Sequence, residues 1–393
     1  MGERYDVVIA GGAVMGSSTA YHLASDPGFR GRILVVEKDM SYAKSATALS
    51  LSSVRQQYST RINIRVGLAG VAFIKNAKQT LAVDGDAPDL PLVENGYLYL
   101  ASEAGADVLR QNNLIQTEEG ARIALVSPAE IAERYPYINV EDVSLGSLGL
   151  QGEGWFDSYQ LLQAFRRKAR SLGVVYREDK VVDVLREGAR VTGVKLANGD
   201  EIACGAFLNA AGASGATQIA TNLGIEIPVR SRKRCVFVFE SKAHFPDCPL
   251  VIDTSGVYFR PEGRTYLVGY APTEDEDPDS DDFEVIWPKF EDYLWPILAH
   301  RVPAFENLKL ARAWAGHYDL NLFDHNAIVG RLPGYDNAYL ASGFSGHGVQ
   351  QSPAVGRGLA ELIVHGGFRA LDLSEFAYER IAANRPLLER NII

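Results

Sequence analysis

The chain has 393 residues, of which 47% are hydrophobic, and this length favours two domains over one simple core. Its net charge of -10 at pH 7 argues against nucleic acid or an anionic membrane surface as the main partner. Three cysteines without a CxxC pair cannot complete a disulfide framework, and we see neither an apolar leader nor a membrane span, so we expect a cytoplasmic protein.

The N-terminal segment predicts a strand, a glycine-rich turn, a helix and a second strand. Residues 5–10 form a short apolar run rich in β-branched side chains, residues 13–24 have a helical composition, and residues 33–37 are again apolar. This order is typical of the start of a doubly wound, mostly parallel α/β sheet of the Rossmann type.

The turn after the first strand resembles the dinucleotide motif GxGxxG, with Gly11, Ala13 and Gly16 at its three marked positions. The first glycine of that motif permits a tight turn, the second lets the backbone approach a pyrophosphate, and the third lets the helix pack on the strand. Glu37 closes the second strand, where a carboxylate can accept both ribose hydroxyls and would repel a 2′-phosphate. The pattern therefore predicts FAD or NAD rather than NADP, and it does not separate those two.

The middle of the chain predicts a change of architecture. Residues 161–172 form an amphipathic helical pattern, and strand-like runs continue from there to residue 210. Between residues 225 and 270, short strands divided by Pro, Gly and Asp predict an antiparallel sheet, and hence a second domain of the α+β class. The acidic stretch 274–284 predicts a solvated loop without a function of its own.

Two later segments favour FAD over NAD. Residues 207–212 predict a buried strand that ends in small residues, where a backbone can pass close to a cofactor. Residues 337–350 predict a second strand, glycine-rich turn and helix, which again offers free amides at a helix N-terminus. Such amides would stabilise the negative charge of a reduced flavin, so one turn can hold the pyrophosphate and the other the ring.

Taken together, these segments resemble the D-amino-acid oxidase and sarcosine oxidase superfamily of FAD-dependent oxidoreductases over nearly the whole chain. The segments that carry the resemblance are residues 6–24, 45–47, 53–58, 209–212, 314–318 and 343–348. The surroundings of Arg55, with residues 232–234 and 257–260, also resemble two narrower groups. One is a mitochondrial oxidoreductase linked to complex I assembly, and the other is the bacterial iminodiacetate oxidase type.

The resemblance implies a discontinuous flavin domain and a substrate domain whose large antiparallel sheet lies over the flavin. The expected FAD-binding domain comprises residues 1–85, 145–222 and 325–393, and the expected substrate domain comprises residues 86–144 and 223–324. Non-covalent FAD is implied, because Gly316 stands where many sarcosine oxidases attach flavin to a cysteine. The residues expected to contact FAD are Gly11, Ala13, Val14, Met15, Gly16, Glu37, Lys38, Ser45, Ala46, Thr47, Val181, Gly212, Gly343, Gly346, His347, Gly348 and Val349.

Two arginines are candidates for anchoring an anionic substrate. Arg55 falls where sarcosine oxidases bind the substrate carboxylate, and a guanidinium fork suits two parallel hydrogen bonds to such a group. Arg260 is expected in the sheet over the flavin, and if both arginines face the pocket a dicarboxylate becomes attractive. The alternative for each is a structural ion pair. We expect no metal site, and Arg232, Lys233 and Arg234 are left out because they alternate along one strand.

The remaining candidates surround the expected ring. Tyr258 and Tyr318 could form the pocket wall or be ordinary core aromatics, and His347 could contact the ring or be structural. Gln350 stands where the family places a lysine beside the carboxylate arginine, so the clamp must be built differently. Leu267 stands where sarcosine oxidases place an oxygen-activating lysine, which leaves the electron acceptor, oxygen or another, open.

The expected reaction is hydride transfer to flavin N5 from a small secondary or N-substituted amino acid of the sarcosine, dimethylglycine or iminodiacetate type. The product would be an imine that water hydrolyses. One alternative is a flavin-dependent 2-hydroxyacid or glycerol-3-phosphate type dehydrogenase, in which His347 would serve as the base. A second alternative is a non-catalytic assembly factor that keeps FAD for stability alone.

Overall fold

The computed structural model describes residues 3–390. Within this range the chain forms eighteen strands: β1 (Arg4–Ala10), β2 (Ile33–Glu37), β3 (Ser53–Val54), β4 (Tyr97–Ala101), β5 (Ile123–Val126), β6 (Leu145–Gly149), β7 (Gly154–Trp155), β8 (Val175–Glu178), β9 (Val181–Glu187), β10 (Arg190–Leu196), β11 (Glu201–Asn209), β12 (Val229–Glu240), β13 (Leu250–Ile252), β14 (Tyr258–Glu262), β15 (Thr265–Gly269), β16 (Lys309–Asn321), β17 (Ile328–Arg331) and β18 (Ala338–Ser342). The same residues form ten α-helices: α1 (Val14–Ser25), α2 (Arg61–Lys75), α3 (Ala77–Thr80), α4 (Glu103–Glu118), α5 (Pro128–Arg134), α6 (Ser158–Ser171), α7 (Ala216–Asn222), α8 (Trp295–Arg301), α9 (Gly348–His365) and α10 (Glu379–Ala382). None of the helices in the described residues is long and apolar enough to cross a membrane.

The first sheet is the doubly wound sheet that the N-terminal pattern predicts. Its order is β17-β18-β11-β1-β2-β8, and the neighbours from β18 to β8 are parallel. The strands β9 and β10 extend it from β11 as an antiparallel hairpin. Because Ala10 and Asn209 are partners at the carboxyl ends of β1 and β11, the two turns that follow these strands lie side by side.

The second sheet lies over that edge. Its order is β16-β12-β15-β14-β13-β4-β6-β5, and its neighbours are antiparallel except for the pair β13 and β4. One face buries an aromatic cluster that includes Phe237 and Phe239. Since side chains alternate along a strand, Arg234 and Val236 point to the opposite face, which turns toward the first sheet.

The first sheet's boundary differs from the expected one at residues 145–149. We expected these residues in the flavin domain, but β6 pairs with β4 and β5 in the second sheet. The segment reads LGSLG, which has no strict alternation of apolar and polar residues and so does not indicate which sheet it joins. Its place is therefore decided by pairing with strands distant in the sequence.

The acidic stretch also differs from the expected solvated loop. The Asp277 side chain is only 8% exposed and accepts hydrogen bonds from Arg234 at 2.6 and 2.8 Å. Beyond it, the Ser280 amide donates to the Ser231 carbonyl at 2.9 Å, so the stretch runs along β12. The sequence could not show this, because Arg234 lies 43 residues away.

Candidate active site

Three cavities join end to end between the two sheets. The nucleotide cavity, the ring cavity and the substrate cavity enclose about 1680, 900 and 680 Å³. Thr47 and Gly212 line both the nucleotide and the ring cavity, while Tyr258, Tyr318 and Gly346 line both the ring and the substrate cavity. The three therefore form one continuous groove that can accommodate an extended dinucleotide and a small substrate.

Glycines shape the nucleotide cavity as the motif requires. Gly11 has a φ of +95°, and a Cβ there would lie 2.3 Å from the Ala210 carbonyl oxygen. A Cβ on Gly16 would lie 1.9 Å from the Gly11 carbonyl oxygen, so Gly16 lets α1 pack on β1 but does not line the groove. In the described chain Ala13 supplies no side-chain cap to α1. The Val14 amide donates to Thr47 Oγ1 at 3.4 Å, and the first turn, with Val14 and Met15, lines the groove.

The Glu37 carboxylate is held in place at the nucleotide end. It accepts the Gly12 amide at 2.7 Å and the Asp39 amide at 3.1 Å, and its side chain lines the nucleotide cavity. Lys38 and Val181 line the same cavity. Two oxygens fixed by backbone amides retain further lone pairs for the hydroxyls of a ribose.

The N-terminus of α9 forms one side of the ring cavity. Gly348 and Val349 line it, and no side-chain cap from His347 covers the helix start in the described structure. Gly346 has a φ of +92°, and a Cβ there would lie 2.5 Å from the Tyr318 ring. Free amides at this position can stabilise negative charge on a ring system.

Asp319 is a residue of the ring cavity that sequence reasoning missed. Its carboxylate accepts the Gly343 amide at 2.8 Å, and burial raises its pKa to about 6. Gly343 itself does not line the groove, so its expected contact with the cofactor is replaced by this internal bond. The sequence does not reveal this carboxylate as part of the site, because it does not show that β16 lies beside the distant glycine-rich turn.

The other expected cofactor residues line the groove. The ring cavity includes Ala13, Val14, Met15, Ala46, Thr47, Gly212, Gly346, Gly348 and Val349, the nucleotide cavity includes Gly11, Glu37, Lys38, Ser45 and Val181, and the substrate cavity includes His347. The residues present fit FAD, because two helix N-termini and two crowded glycine turns face opposite parts of one continuous groove.

The substrate cavity contains a buried cation that forms no salt bridge with the described residues. Arg55 is 7% exposed, and among residues 3–390 no carboxylate forms an ion pair with it. Its guanidinium lies 4.7 Å from the centroid of the Tyr58 ring. A buried charge without a partner is costly, so this geometry favours an anionic ligand at Arg55.

His347 and Gln350 hold Arg55 from two sides. Arg55 Nη2 lies 3.0 Å from His347 Nε2, and because a guanidinium can only donate, this ring nitrogen accepts. Burial, and next the charge of Arg55, lowers the pKa of His347 to about 3, so the imidazole is neutral. Gln350 Oε1 accepts the Arg55 amide at 2.7 Å, and Gln350 Nε2 donates to the Tyr58 hydroxyl.

The remaining wall of the substrate cavity combines hydroxyl-bearing, aromatic and apolar side chains. It includes Ser50, Leu51, Ser53, Tyr97, Leu250, Ile252, Tyr258, Tyr318 and Ser345. No carboxylate of the described residues lines this cavity. A ligand here meets one cation, one neutral imidazole, serine and tyrosine side chains, and hydrophobic surface.

Arg260 is not brought into the groove, although it was expected there. It is buried, but it pairs with Glu262 and donates to the Leu51 carbonyl at 2.9 Å, and it lines none of the three cavities. Its guanidinium stacks 4.9 Å from the Trp155 ring. The side chain points to the correct sheet face but lies beside the groove, so the structural ion pair is the better description.

Glu153 supports the Arg55 segment from behind and was also missed by the sequence. It is fully buried and accepts the Gln56 amide at 2.6 Å and the Gln57 side-chain amide at 2.8 Å. Burial raises its pKa to about 7 despite these bonds. Its only sequence signal is the glycine on each side, which leaves room for close packing.

Comparisons with known proteins support the assignment of this groove to FAD. The family model described as DAO, FAD dependent oxidoreductase, matches residues 6–362. The chain is 43% identical over 429 residues to FAD-dependent oxidoreductase domain-containing protein 1 of Xenopus laevis, covering 100% of this chain and 85% of the relative. It is 25% identical to sarcosine oxidase subunit beta of an Arthrobacter species, over 96% of this chain and 91% of that one.

Among solved structures, L-proline dehydrogenase from P. horikoshii matches with a TM-score of 0.86 and 26% identity, covering 98% of this chain and 100% of that chain. The resemblance inferred from the sequence motifs is thereby confirmed. The chain belongs to the DAO family of FAD-dependent oxidoreductases, and FAD is its cofactor.

Proposed function

We propose that this protein oxidises the C–N bond of a small secondary or N-substituted amino acid that carries a single carboxylate. The observation that carries the proposal is Arg55, a buried cation at the substrate end of the groove that forms no ion pair with a carboxylate within residues 3–390. Its guanidinium can bind a substrate carboxylate through two parallel hydrogen bonds. The names of two relatives, a sarcosine oxidase subunit and an L-proline dehydrogenase, support a secondary amine.

The cavity supports binding of the amine in its neutral form. Neither an acid nor a further cation lines it in the described chain, and His347 is neutral because burial lowers its pKa to about 3. An ammonium group would therefore enter without a counter-charge, which favours loss of its proton. Bound FAD supplies the hydride acceptor, and the residues of the cavity contribute orientation and exclusion of water. We expect FAD to be non-covalent, since Gly316 lines the ring cavity without a thiol.

The same residues argue against a dicarboxylate of the iminodiacetate type. Arg260 pairs with Glu262 outside the cavity, and Gln350 replaces the family's lysine with a neutral amide. A second carboxylate would then meet only neutral side chains, such as Leu250, Ile252, the serines and the tyrosines, and no second cation of the described residues. Burial of that charge would cost several kcal/mol.

The two alternative functions receive less support. Oxidation of an alcohol needs a base for the hydroxyl proton, but the Nε2 lone pair of His347 already accepts from Arg55. A cofactor kept only for stability would need no substrate cavity, whereas a cavity with a poised cation adjoins the ring cavity.

Anaerobic titration of the purified yellow protein tests the proposal. Sarcosine, dimethylglycine, L-proline, D-amino acids and iminodiacetate would be added in turn, with lactate and glycerol 3-phosphate as alcohol controls. We expect bleaching of the flavin absorbance by a monocarboxylate amine, with little effect of iminodiacetate. Bleaching by an alcohol control, or by no compound of the panel, would reject the proposed substrate class.

A further inference from the structure

The acidic stretch and the basic residues of β12 have no part in the proposed reaction, yet they meet at the groove. Arg234 lines the ring cavity, and its guanidinium lies 5.2 Å from the centroid of the Tyr318 ring. Asp277 neutralises it through two hydrogen bonds at 2.6 and 2.8 Å, with both side chains below 10% exposure. One end of the acidic stretch is therefore fastened beside the ring.

The other end of the stretch reaches the nucleotide cavity. Asp281 and Phe283 both line that cavity, as do Lys44 and His317. The Phe283 ring stands edge-on to the His317 ring at 4.5 Å between centroids, and Lys44 Nζ lies 5.2 Å from the Phe283 ring. The stretch thus passes from the ring end to the nucleotide end along one rim of the groove.

Between these ends, residues of β12 hold the stretch by contacts in which the carboxylate partners are at least half exposed. Lys233 Nζ lies 2.7 Å from Asp282, and Arg232 Nη2 lies 3.3 Å from Asp279. The Ser280 amide donates to the Ser231 carbonyl at 2.9 Å. Ion pairs of this kind contribute little individually and can open and close, whereas breaking a buried pair leaves an uncompensated charge.

We propose that residues 277–283, here called the acidic strap, close over bound FAD, and that the Arg234–Asp277 pair fastens the strap and positions the Tyr318 ring. Arg234 lies on one side of that ring, and Gly346 packs against it so closely that a Cβ there would clash at 2.5 Å. Tyr318 lines both the ring and the substrate cavity, so the strap is linked to the place where the two meet. This proposal rests on FAD binding and is independent of which substrate is oxidised.

Release of FAD from the holoprotein tests the strap. We would compare Asp277→Asn and Phe283→Ala with Asp275→Asn, a matched control that removes one negative charge from an exposed residue of the same stretch. Dissociation after dilution is followed by the fluorescence of free flavin, and folding by circular dichroism. We expect FAD to leave at least tenfold faster from the two strap variants and at the wild-type rate from the control. Wild-type release from folded Asp277→Asn and Phe283→Ala would overturn the proposal.

Hydrogen exchange gives a second readout on the unaltered protein. The Ser280 amide reports directly on the strap, because it is bonded to β12 when the strap is closed. We expect its exchange to be at least tenfold slower with FAD than after FAD removal. Equal exchange in both states would reject closure over the cofactor, even if Asp277→Asn failed to fold. Bleaching by substrate does not enter either experiment, so failure of the proposed function would remain distinct.

Discussion

Arg55 donates a hydrogen bond from Nη2 to Nε2 of His347 across 3.0 Å, although the two residues lie 292 positions apart in the chain. The contact aims a buried guanidinium into the substrate cavity and holds the imidazole neutral with its accepting nitrogen occupied. It joins the turn after β3 to the start of α9, the helix whose free amides face the ring cavity. It therefore links the residue that we propose as the anchor for a substrate carboxylate to the helix start that lines the ring cavity.

Arg55→Lys should weaken binding of a carboxylate ligand by about 10- to 100-fold, because a charged hydrogen bond contributes about 1.5–3 kcal/mol. The positive charge remains, but lysine cannot form the two parallel hydrogen bonds that a guanidinium makes to a carboxylate. Binding of 2-aminoisobutyrate, which has no hydrogen on its α-carbon, can be measured from the change in flavin absorbance. Arg260→Lys is the matched control, since Arg260 is also buried but lines no cavity. Equal weakening in both variants would argue that Arg55 has no special role.

His347→Gln should retain turnover within a fewfold of wild type, whereas His347→Leu should weaken substrate binding. A glutamine amide oxygen can take the place of Nε2 and accept from Arg55, but leucine leaves that donor without a partner. Steady-state kcat and KM of the three proteins provide the measurement. Loss of kcat in the glutamine variant with unchanged KM would indicate that the imidazole acts as a base, as an alcohol dehydrogenase would require.

The contribution of Glu153 to the free energy of unfolding should fall as the pH rises. Burial raises its pKa from an ordinary 4.5 to about 7, so the folded state holds the proton more tightly than the unfolded state. The resulting stabilisation is complete below about pH 4.5 and is lost as the pH rises through about 7. Thermal unfolding between pH 5 and 8.5 should show a steeper decline for wild type than for Glu153→Gln. The exposed Glu133→Gln variant is the control, and parallel curves for all three proteins would contradict the assignment.

Because Leu267 is apolar, we expect the reduced protein to react slowly with oxygen. The side chain is 4% exposed and packs against Val236, Val238 and Leu51, so an apolar cluster stands where sarcosine oxidases place a lysine. Without that cation, the negative charge that oxygen acquires is less stabilised. Stopped-flow mixing of reduced protein with oxygen, compared with an artificial electron acceptor, gives the rates. Reoxidation by oxygen as fast as by the acceptor would contradict the prediction.

The sequence predicts local features of the groove well and distant contacts poorly. The turn from Gly11 to Gly16 and the carboxylate of Glu37 belong to one short strand–helix–strand unit, so their spacing alone indicates a nucleotide site. Glu153, by contrast, meets the Gln56 amide across 97 residues, and Asp277 meets Arg234 across 43. Such contacts depend on how two sheets pack, which strand patterns do not encode.

Arg260 illustrates the intermediate case. Alternation along β14 correctly gives it the same sheet face as Tyr258. Whether a long side chain then enters a cavity depends on its neighbours, and Glu262 with the Leu51 carbonyl draws the guanidinium aside. The predicted face was informative, but the predicted role was not.

The most direct test of the account is a crystal structure of the protein with FAD and 2-aminoisobutyrate. We expect the flavin ring in the ring cavity, between the start of α9 and the sheet face that carries Tyr318. We also expect both carboxylate oxygens of the ligand within hydrogen-bonding distance of the Arg55 guanidinium. A ligand carboxylate bound elsewhere, with Arg55 facing solvent or a protein carboxylate, would contradict it.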